Sequence, residues 1–340
     1  MPSIIPAPMR TVFAVVFFFV YAHLGTLSLR TLSDDPCDST KLPDPRKLRS
    51  DQITVLMNGY SESRIPLLRS IAATYAASPP VAAVVILWGN PSTPTRTLAE
   101  LSHNFTIAYT GAAPISLVRQ ASDSLNARFL PRPFITTRGV IICDDDVEVD
   151  PKSIEFAFRV WASNPHRLIG LFARAHDLDL SKREWIYTVH PDKYSIVLTK
   201  FMVLKTEYLY KYSCEGGARM MEARRAVDMA QNCEDILMNF VVAEEGNAGP
   251  MLVGAEKVRD WGDGRNDEGL GLKEREVGLS SRRGEHRKRR GGCIGDFHRI
   301  LGRMPLRYGY GKVVNSIAEQ GLCMKDGKLV FCDQWPIGHR

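Results

Sequence analysis

Three consecutive carboxylates, Asp144, Asp145 and Asp146, end a short apolar run, Val140-Ile141-Ile142-Cys143. The run reads as a buried strand, so the acids stand at a strand's C-terminal end, where open α/β sheets take ligands. Adjacent carboxylates repel one another and persist in a fold mainly where a cation neutralises them. The chemistry that suits them is a divalent metal joining protein to a nucleotide diphosphate. A solvated acidic turn ahead of the helix at Pro151 would have the same sequence. A second acidic pair, Glu234-Asp235, follows Asn232-Cys233 and opens an apolar-faced helix. Asn232 could be the N-cap there, with the acids favoured by the positive helix end. The alternative places Asp235 at a reaction centre. The basic run Arg282–Arg290 is either a solvated loop or a cationic element that neutralises a leaving group beside a metal-diphosphate site.

The elements that must position these groups alternate in the first half. Ile53–Met57 and Val81–Trp88 read as strands, and Ile65–Ala77 between them as a helix with Pro66 in its first turn. Thr95–Leu101 reads as a short helix on Leu98 and Leu101, Phe105–Tyr109 as a strand, Asp123–Phe129 as helical, and Gly139–Cys143 as the strand that delivers the triplet. This pattern implies a parallel sheet with helices on its faces. No glycine-rich phosphate loop is present, so side chains and metal must hold any nucleotide. Farther on, Ile154–Trp161 continues a helix, Leu168–Phe172 and Ser195–Val203 read as strands around a hairpin near Trp185, and Glu222–Ala230 and Glu234–Ala243 as helices. Asp260–Gly292, rich in Gly, Arg, Asp and Glu, reads as a mobile loop.

The 340 residues have the composition of a globular protein, 44% hydrophobic, with a net charge of +6 concentrated in Arg282–Arg290. That distribution gives no case for nucleic-acid binding. Val12–Leu24 is nearly all apolar, and weaker apolar sequence carries it to Leu29, roughly 18–19 residues and just long enough to span a bilayer. Arg10 precedes it, and no Ala-X-Ala cleavage site follows. The expected organisation is a cytosolic tail (1–10), a signal-anchor (11–29), a stem with Pro36, Pro43 and Pro45 (30–50), a lumenal domain (51–335) and a short tail (336–340). A cleaved signal peptide is the competing reading. Asn104-Phe105-Thr106 is a glycosylation sequon, read as lying on a loop. Seven cysteines leave at least one unpaired, and Cys143, inside the buried strand, reads as the free thiol.

An ordered set of segments resembles the exostosin-like glycosyltransferases of family 64. It comprises Asn58-Gly59-Tyr60 with Arg64, Trp88-Gly89-Asn90, Ser124–Phe129, the Asp triplet, Phe156–Trp161, Tyr194-Ser195, Asn232–Ile236, Cys293-Ile294 and Met304–Tyr308, and spans residues 51–335. The length and short apolar segment look most like the plant subfamily that mannosylates glycosylinositol phosphorylceramide. The resemblance implies a GT-A fold, a divalent metal (manganese), retention of anomeric configuration and a type II Golgi membrane location. It implies GDP-mannose as donor and an anionic, membrane-held glycolipid as acceptor. Position by position, Asp146 matches the metal ligand, and Asp144 and Asp145 complete the motif. Arg64, Asn90, Asp123 and Arg128 match nucleotide contacts, Asp235 the essential acid, Arg290 the essential arginine near the diphosphate, and Cys233 and Cys293 a disulfide. Cys323 and Cys332 are a second candidate pair. The family commonly has Asn where Asp123 stands and often Asp where Glu234 stands.

Other functions share parts of this pattern. A family 64 enzyme using a UDP-linked N-acetylhexosamine would carry the same motifs. An aspartyl phosphotransferase also uses Asp-X-Asp, but usually on the first strand of its domain, unlike Asp144-X-Asp146. A catalytically silent lumenal sugar- or calcium-binding module would keep the acids without turnover.

Overall fold

A computed structural model describes residues 35–108, 113–263, 283–316, 322–325 and 327–331. The first half folds as strand and helix in alternation: β1 (Arg49–Gly59), α1 (Ile65–Ala76), β2 (Val81–Trp88), α2 (Thr95–Ala108), β3 (Ile115–Arg119), β4 (Thr137–Asp144), β5 (Val147–Val149) and α3 (Pro151–Ser163). Strands β1 to β4 are mutually parallel, in the order β4-β1-β2-β3. In β4, Val140 and Ile142 enter the core on one face of the sheet, while Ile141 and Cys143 enter the core on the other. A strand buried on both faces reads as an unbroken apolar run, which is why it ends so sharply at the acids.

Then come β6 (Ile169–Gly170), β7 (Ala173–Asp179), β8 (Glu184–Thr188), β9 (Lys193–Tyr194), β10 (Ile196–Val197) and β11 (Phe201–Lys205). After these come α4 (Glu207–Cys214), α5 (Gly217–Ala230), α6 (Glu234–Gly246), β12 (Met251–Val253), β13 (Val258–Asp260), α7 (Arg283–Leu301), β14 (Gly309–Tyr310) and β15 (Lys312–Val313). β11 joins β4 antiparallel, and the sheet continues through β6 and β12 to β15, so it is mixed. Residues of α1, α2 and α3 pack in one core, and residues of α4 to α7 in the other. The chain is thus α/β with a large mixed sheet.

Several expectations need correction. α2 runs on to Ala108 and absorbs Phe105, because Leu98, Leu101 and Phe105 are all buried at helical spacing. Asn104 is therefore an exposed helical residue and not a loop residue. The expected strand Ser195–Val203 breaks into β10 and β11, and the turn between them carries Thr199 and Lys200. Leu168–Phe172 shrinks to β6. Residues 283–292 are the first half of α7 and not a loop. On α7, Arg290, Cys293, Ile294, Phe297 and Ile300 form one buried face at intervals of three and four residues. The Gly-Arg-rich composition hides that periodicity.

Of the cysteines, Cys143 is free and buried. Cys233 bonds Cys293, as the family resemblance implies, and Cys37 bonds Cys214, a pair the sequence did not suggest. Cys332 and the apolar segment 11–29 lie outside the described residues. Among the described residues no helix is long and apolar enough to cross a membrane.

Candidate active site

The parallel register sets Asn58 beside Asp144, Gly59 beside Trp88, and Trp88 beside Arg119. The loops that begin at Tyr60, Gly89, Gln120 and Asp145 therefore open on one edge of the sheet. Arg64 reaches this edge on the short helical turn Glu62–Arg64, and Arg128 on the turn Leu125–Phe129. The second turn is held rigidly. Ser124 Oγ accepts from the Asn126 N–H, and the Asn126 amide donates to Asp228 Oδ1 at 2.8 Å and to the Arg224 carbonyl at 2.9 Å.

Arg128 joins two acidic groups from distant parts of the chain. Its Nη1 donates to Asp144 Oδ1 at 3.0 Å and lies 3.4 Å from Glu234 Oε1. Burial works against the guanidinium charge, but Glu234 and Asp144 outweigh it, and the Arg128 pKa is raised. Glu234 also accepts from Thr199 Oγ1 at 3.2 Å, and its burial lifts its carboxyl above the usual range despite Arg128. Arg64 Nη1 donates to Asp145 Oδ1 at 3.2 Å and to Asp146 Oδ2 at 3.0 Å. Burial pushes Asp145 up to about 6, with Arg64 opposing and Asp144 adding to the shift. Burial, then Asp144 and Asp145, push Asp146 up to about 7. Trp261 donates its backbone N–H to the Asp146 carbonyl at 2.8 Å. A Cβ on the next residue, Gly262, would come 2.3 Å from Asp146 Oδ2, so any larger residue there would displace that carboxylate.

The other half of the site is built by α6 and α7. Cys233 precedes α6 with φ of 79°, a left-handed conformation uncommon in a non-glycine residue and often stored at functional sites. Asn232 does not cap α6. Its Oδ1 accepts from the Cys233 N–H at 2.8 Å and from Arg290 Nη1 at 2.8 Å. Arg290 Nη2 pairs with Asp235 Oδ2 at 2.5 Å, and Asp235 Oδ1 accepts the Ile236 N–H at 2.8 Å. Asp235 and Arg290 are both buried. Burial opposes the Arg290 charge, and Asp235 reverses the effect, so the pKa is raised. The Arg290 guanidinium lies over the Tyr187 ring, 4.5 Å from its centre. Gly291 lets α7 approach β8, since a Cβ there would meet the Trp185 carbonyl at 2.6 Å. The Cys233–Cys293 bond then ties α6 to α7 beside the ion pair.

The structure thus gathers Arg64, Arg128, Asp144, Asp145, Asp146, Asp235 and Arg290 into one constellation. Asn90 follows β2 on the same edge, with Oδ1 accepting the Ser92 N–H at 2.9 Å. Asp123 is exposed after β3 and joins none of these ion pairs.

The chain matches the Glycosyl transferase family 64 domain over residues 53–318. The chain belongs to glycosyltransferase family 64. It is 62% identical to the Glycosyltransferase family protein 64 C3 of Arabidopsis thaliana, over 95% of this chain and 98% of that protein. It is 32% identical to mouse Exostosin-1 over 71% of this chain but only 30% of that protein. It is 30% identical to the Arabidopsis Glycosylinositol phosphorylceramide mannosyl transferase 1, over 77% of this chain and 76% of that protein. The chain is therefore a glycosyltransferase, and the constellation is its candidate active site.

Asp146 Oδ1 is buried without a hydrogen-bond partner among the described residues. An oxygen in that state, in a crowd of acids, fits a hard divalent cation. Among the described residues no group of three or more His, Cys, Asp or Glu side chains is placed to hold a metal by itself. Magnesium-like cations are commonly held that way, by one or two carboxylates with substrate phosphates completing the shell. Four residues that contact this constellation, Glu234, Asn232, Thr199 and Tyr187, are not singled out by the sequence as site residues. Glu234 was set aside in favour of its neighbour, and Asn232 was read as a cap. Thr199 and Tyr187 carry no motif, although the alternation of Trp185 and Tyr187 on one face of β8 marks that face as the packed one.

Proposed function

We propose that this glycosyltransferase is a retaining, divalent-metal-dependent hexosyltransferase of GT-A architecture, acting at a Golgi membrane with GDP-mannose as donor and an acidic glycolipid as acceptor. The observation that carries the reading is Arg128. One guanidinium faces both Asp144 at the strand end and Glu234 at the start of α6, so the triplet and the Asp235–Arg290 pair belong to a single site.

Asp146, with Asp144 and Asp145, would hold manganese, and the bound ion would supply positive charge to the donor diphosphate. Arg290 adds a fixed cation in a site largely closed to water, where such charge is worth more than in solvent. As the bond between C1 and the phosphate oxygen breaks, the sugar becomes cationic, and the Asp235 carboxylate offers the compensating charge. Both Asp235 oxygens are already engaged, by Arg290 and by the Ile236 N–H. That engagement favours a stabilising role over covalent attack. The acceptor oxygen then bonds C1 on the face the diphosphate leaves, and its proton departs with the diphosphate. The name of the mannosyl transferase relative supports mannose as the sugar and an inositol phosphorylceramide as the acceptor class, and the guanosine nucleotide rests on the family resemblance alone. The relative at higher identity has a name that specifies neither.

An anionic acceptor suits Arg287, Lys288 and Arg289, which are exposed on α7 directly before Arg290. The test offers GDP-mannose, UDP-N-acetylglucosamine or UDP-glucuronate with manganese and a glucuronate-bearing inositol phosphorylceramide. Transfer from GDP-mannose is expected. Arg287→Glu with Arg289→Glu should raise the acceptor KM far more than the donor KM, and less so at high salt. Transfer from a UDP-sugar alone would overturn the donor. Equal use of a neutral glycan, insensitive to the charge reversal, would overturn the acceptor.

A further inference from the structure

Lys200 stands at the acidic edge of the sheet, in the turn between β10 and β11. Phe201 pairs with Cys143 across the sheet, so the residue before it enters beside Asp144. The backbone there is fixed on both sides of Lys200. The Phe201 N–H donates to the Leu198 carbonyl at 3.3 Å, and Thr199 Oγ1 donates to Glu234 Oε1 at 3.2 Å. From this anchored turn the side chain passes the Phe172 ring, 5.9 Å from its centre, and Nζ pairs with Asp260 Oδ2.

Asp260 ends β13, in the segment that lies against the triplet. Its Oδ1 accepts the Gly262 N–H at 3.2 Å, and a Cβ on Gly262 would be 3.4 Å from that oxygen and 2.3 Å from Asp146 Oδ2. The two carboxylates therefore flank Gly262, and the Lys200 charge acts on both. Burial raises the Asp146 carboxyl, and Lys200, after Arg64, is among the charges that oppose the rise. The arginines of the site are committed to other groups. Arg64 Nη1 is shared by Asp145 and Asp146, and Arg128 Nη1 by Asp144 and Glu234, while Arg290 has its terminal nitrogens on Asn232 and Asp235. Lys200 keeps 26% of its side chain exposed, on a flexible stem whose three donors turn freely. A part-exposed ion pair is worth little, so giving up Asp260 costs little. A hydrogen bond from an ammonium to a phosphate is charge-assisted at both ends. A divalent cation at Asp146 would repel the ammonium, and donor phosphates carry the negative charge that offsets this repulsion.

We propose that Lys200 is a donor-binding residue, whose ammonium leaves Asp260 for the diphosphate of the sugar nucleotide. The assignment rests on the proposed metal-diphosphate donor site and adds to it a movable cation beside the fixed Arg290.

The test is calorimetric titration of the whole protein in manganese with GDP and UDP, and with guanosine and uridine in competition. Lys200→Met should weaken the better-bound diphosphate by about tenfold or more and leave its nucleoside unchanged. Lys200→Arg should recover most of the loss. Asp260→Asn keeps an oxygen for the Gly262 N–H but loosens the hold on the ammonium, so it should tighten diphosphate binding by up to about fivefold. A purely structural tie between the turn and β13 predicts the opposite, with both variants weakening binding alike and lowering the thermal midpoint together. Should Lys200→Met not fold, Lys200→Gln takes its place beside Asp260→Asn. Undiminished diphosphate affinity without the lysine, equal losses for diphosphate and nucleoside, or parallel losses in the lysine and Asp260 variants would each overturn the proposal while the donor site stands. Failure of the native protein to bind either diphosphate would overturn the donor site, and this proposal with it.

Discussion

At the scale of single residues, the site is a set of charges that are each buried beside an opposite charge. Asp146 also has Arg64 on its Oδ2, but its Oδ1 has no partner among the described residues, and burial with the neighbouring acids Asp144 and Asp145 outweighs Arg64. Without metal, Asp146 is therefore a net repulsive element. Asp146→Asn should raise the thermal midpoint of the metal-free protein by roughly 1–2 °C, the shift that about 1 kcal/mol gives with an unfolding entropy of about 2 cal/mol/K per residue over a chain of this length. The same variant should lose the upward shift that manganese gives the native protein. A lower midpoint in the absence of metal, or an unchanged manganese shift, would count against the site. The acids themselves were legible, because three carboxylates after an apolar run have few structural uses. Their arginine partners were not legible from spacing. Arg128 lies 16 residues from Asp144, and Arg290 lies 55 from Asp235, so only the family resemblance suggested them.

Elements explain why the second half of the chain was harder to read. β6, β9 and β10 are each two residues long, too short for alternation to show. α7 begins in a Gly-Arg-rich stretch, and its buried face is visible only by stepping back from Phe297 through Ile294 and Cys293 to Arg290. The β7–β8 hairpin was legible, and it now has a role, since it lays Tyr187 on Arg290 and Trp185 on α7, with Trp185 Nε1 donating to His298 Nδ1 at 3.1 Å. His176 anchors the hairpin. Its Nδ1 is 2.7 Å from Ser195 Oγ, and its ring stacks on Tyr308. Burial, against a smaller opposite pull from Asp177, brings its pKa down to about 4 from the ordinary 6.5. Between those values the unfolded chain takes up a proton that the folded chain does not, so stability falls as pH drops from 6.5 to 4. Above 6.5 this group has no effect. His176→Gln should flatten that acid limb in urea midpoints measured against pH. An unchanged slope would show that His176 does not set it.

At the scale of the whole molecule, the fold divides its tasks between the two edges of one sheet. The carboxyl edge of β1 to β4 carries the acids and their arginines, and the opposite edge receives residues 35–48, fastened by Cys37–Cys214. β1, β2 and β4 were readable because each is long and largely buried, whereas β3, five residues with Ser116 exposed, was missed and its place given to Phe105–Tyr109. The attachment of residues 35–48 was not readable, since nothing near Cys37 names Cys214 as its partner across 177 residues. The central claim is that Asp235, held by Arg290, acts on the sugar and not on the helix. It is tested most directly by Asp235→Asn, with nucleotide affinity by titration, thermal midpoint, and release of nucleoside diphosphate from the donor with acceptor present. The expected result is near-native nucleotide affinity with turnover abolished, and a lowered midpoint because Arg290 loses its buried counter-charge. A variant that loses stability but still turns over donor near the native rate would contradict the account, because Asp235 would then be structural.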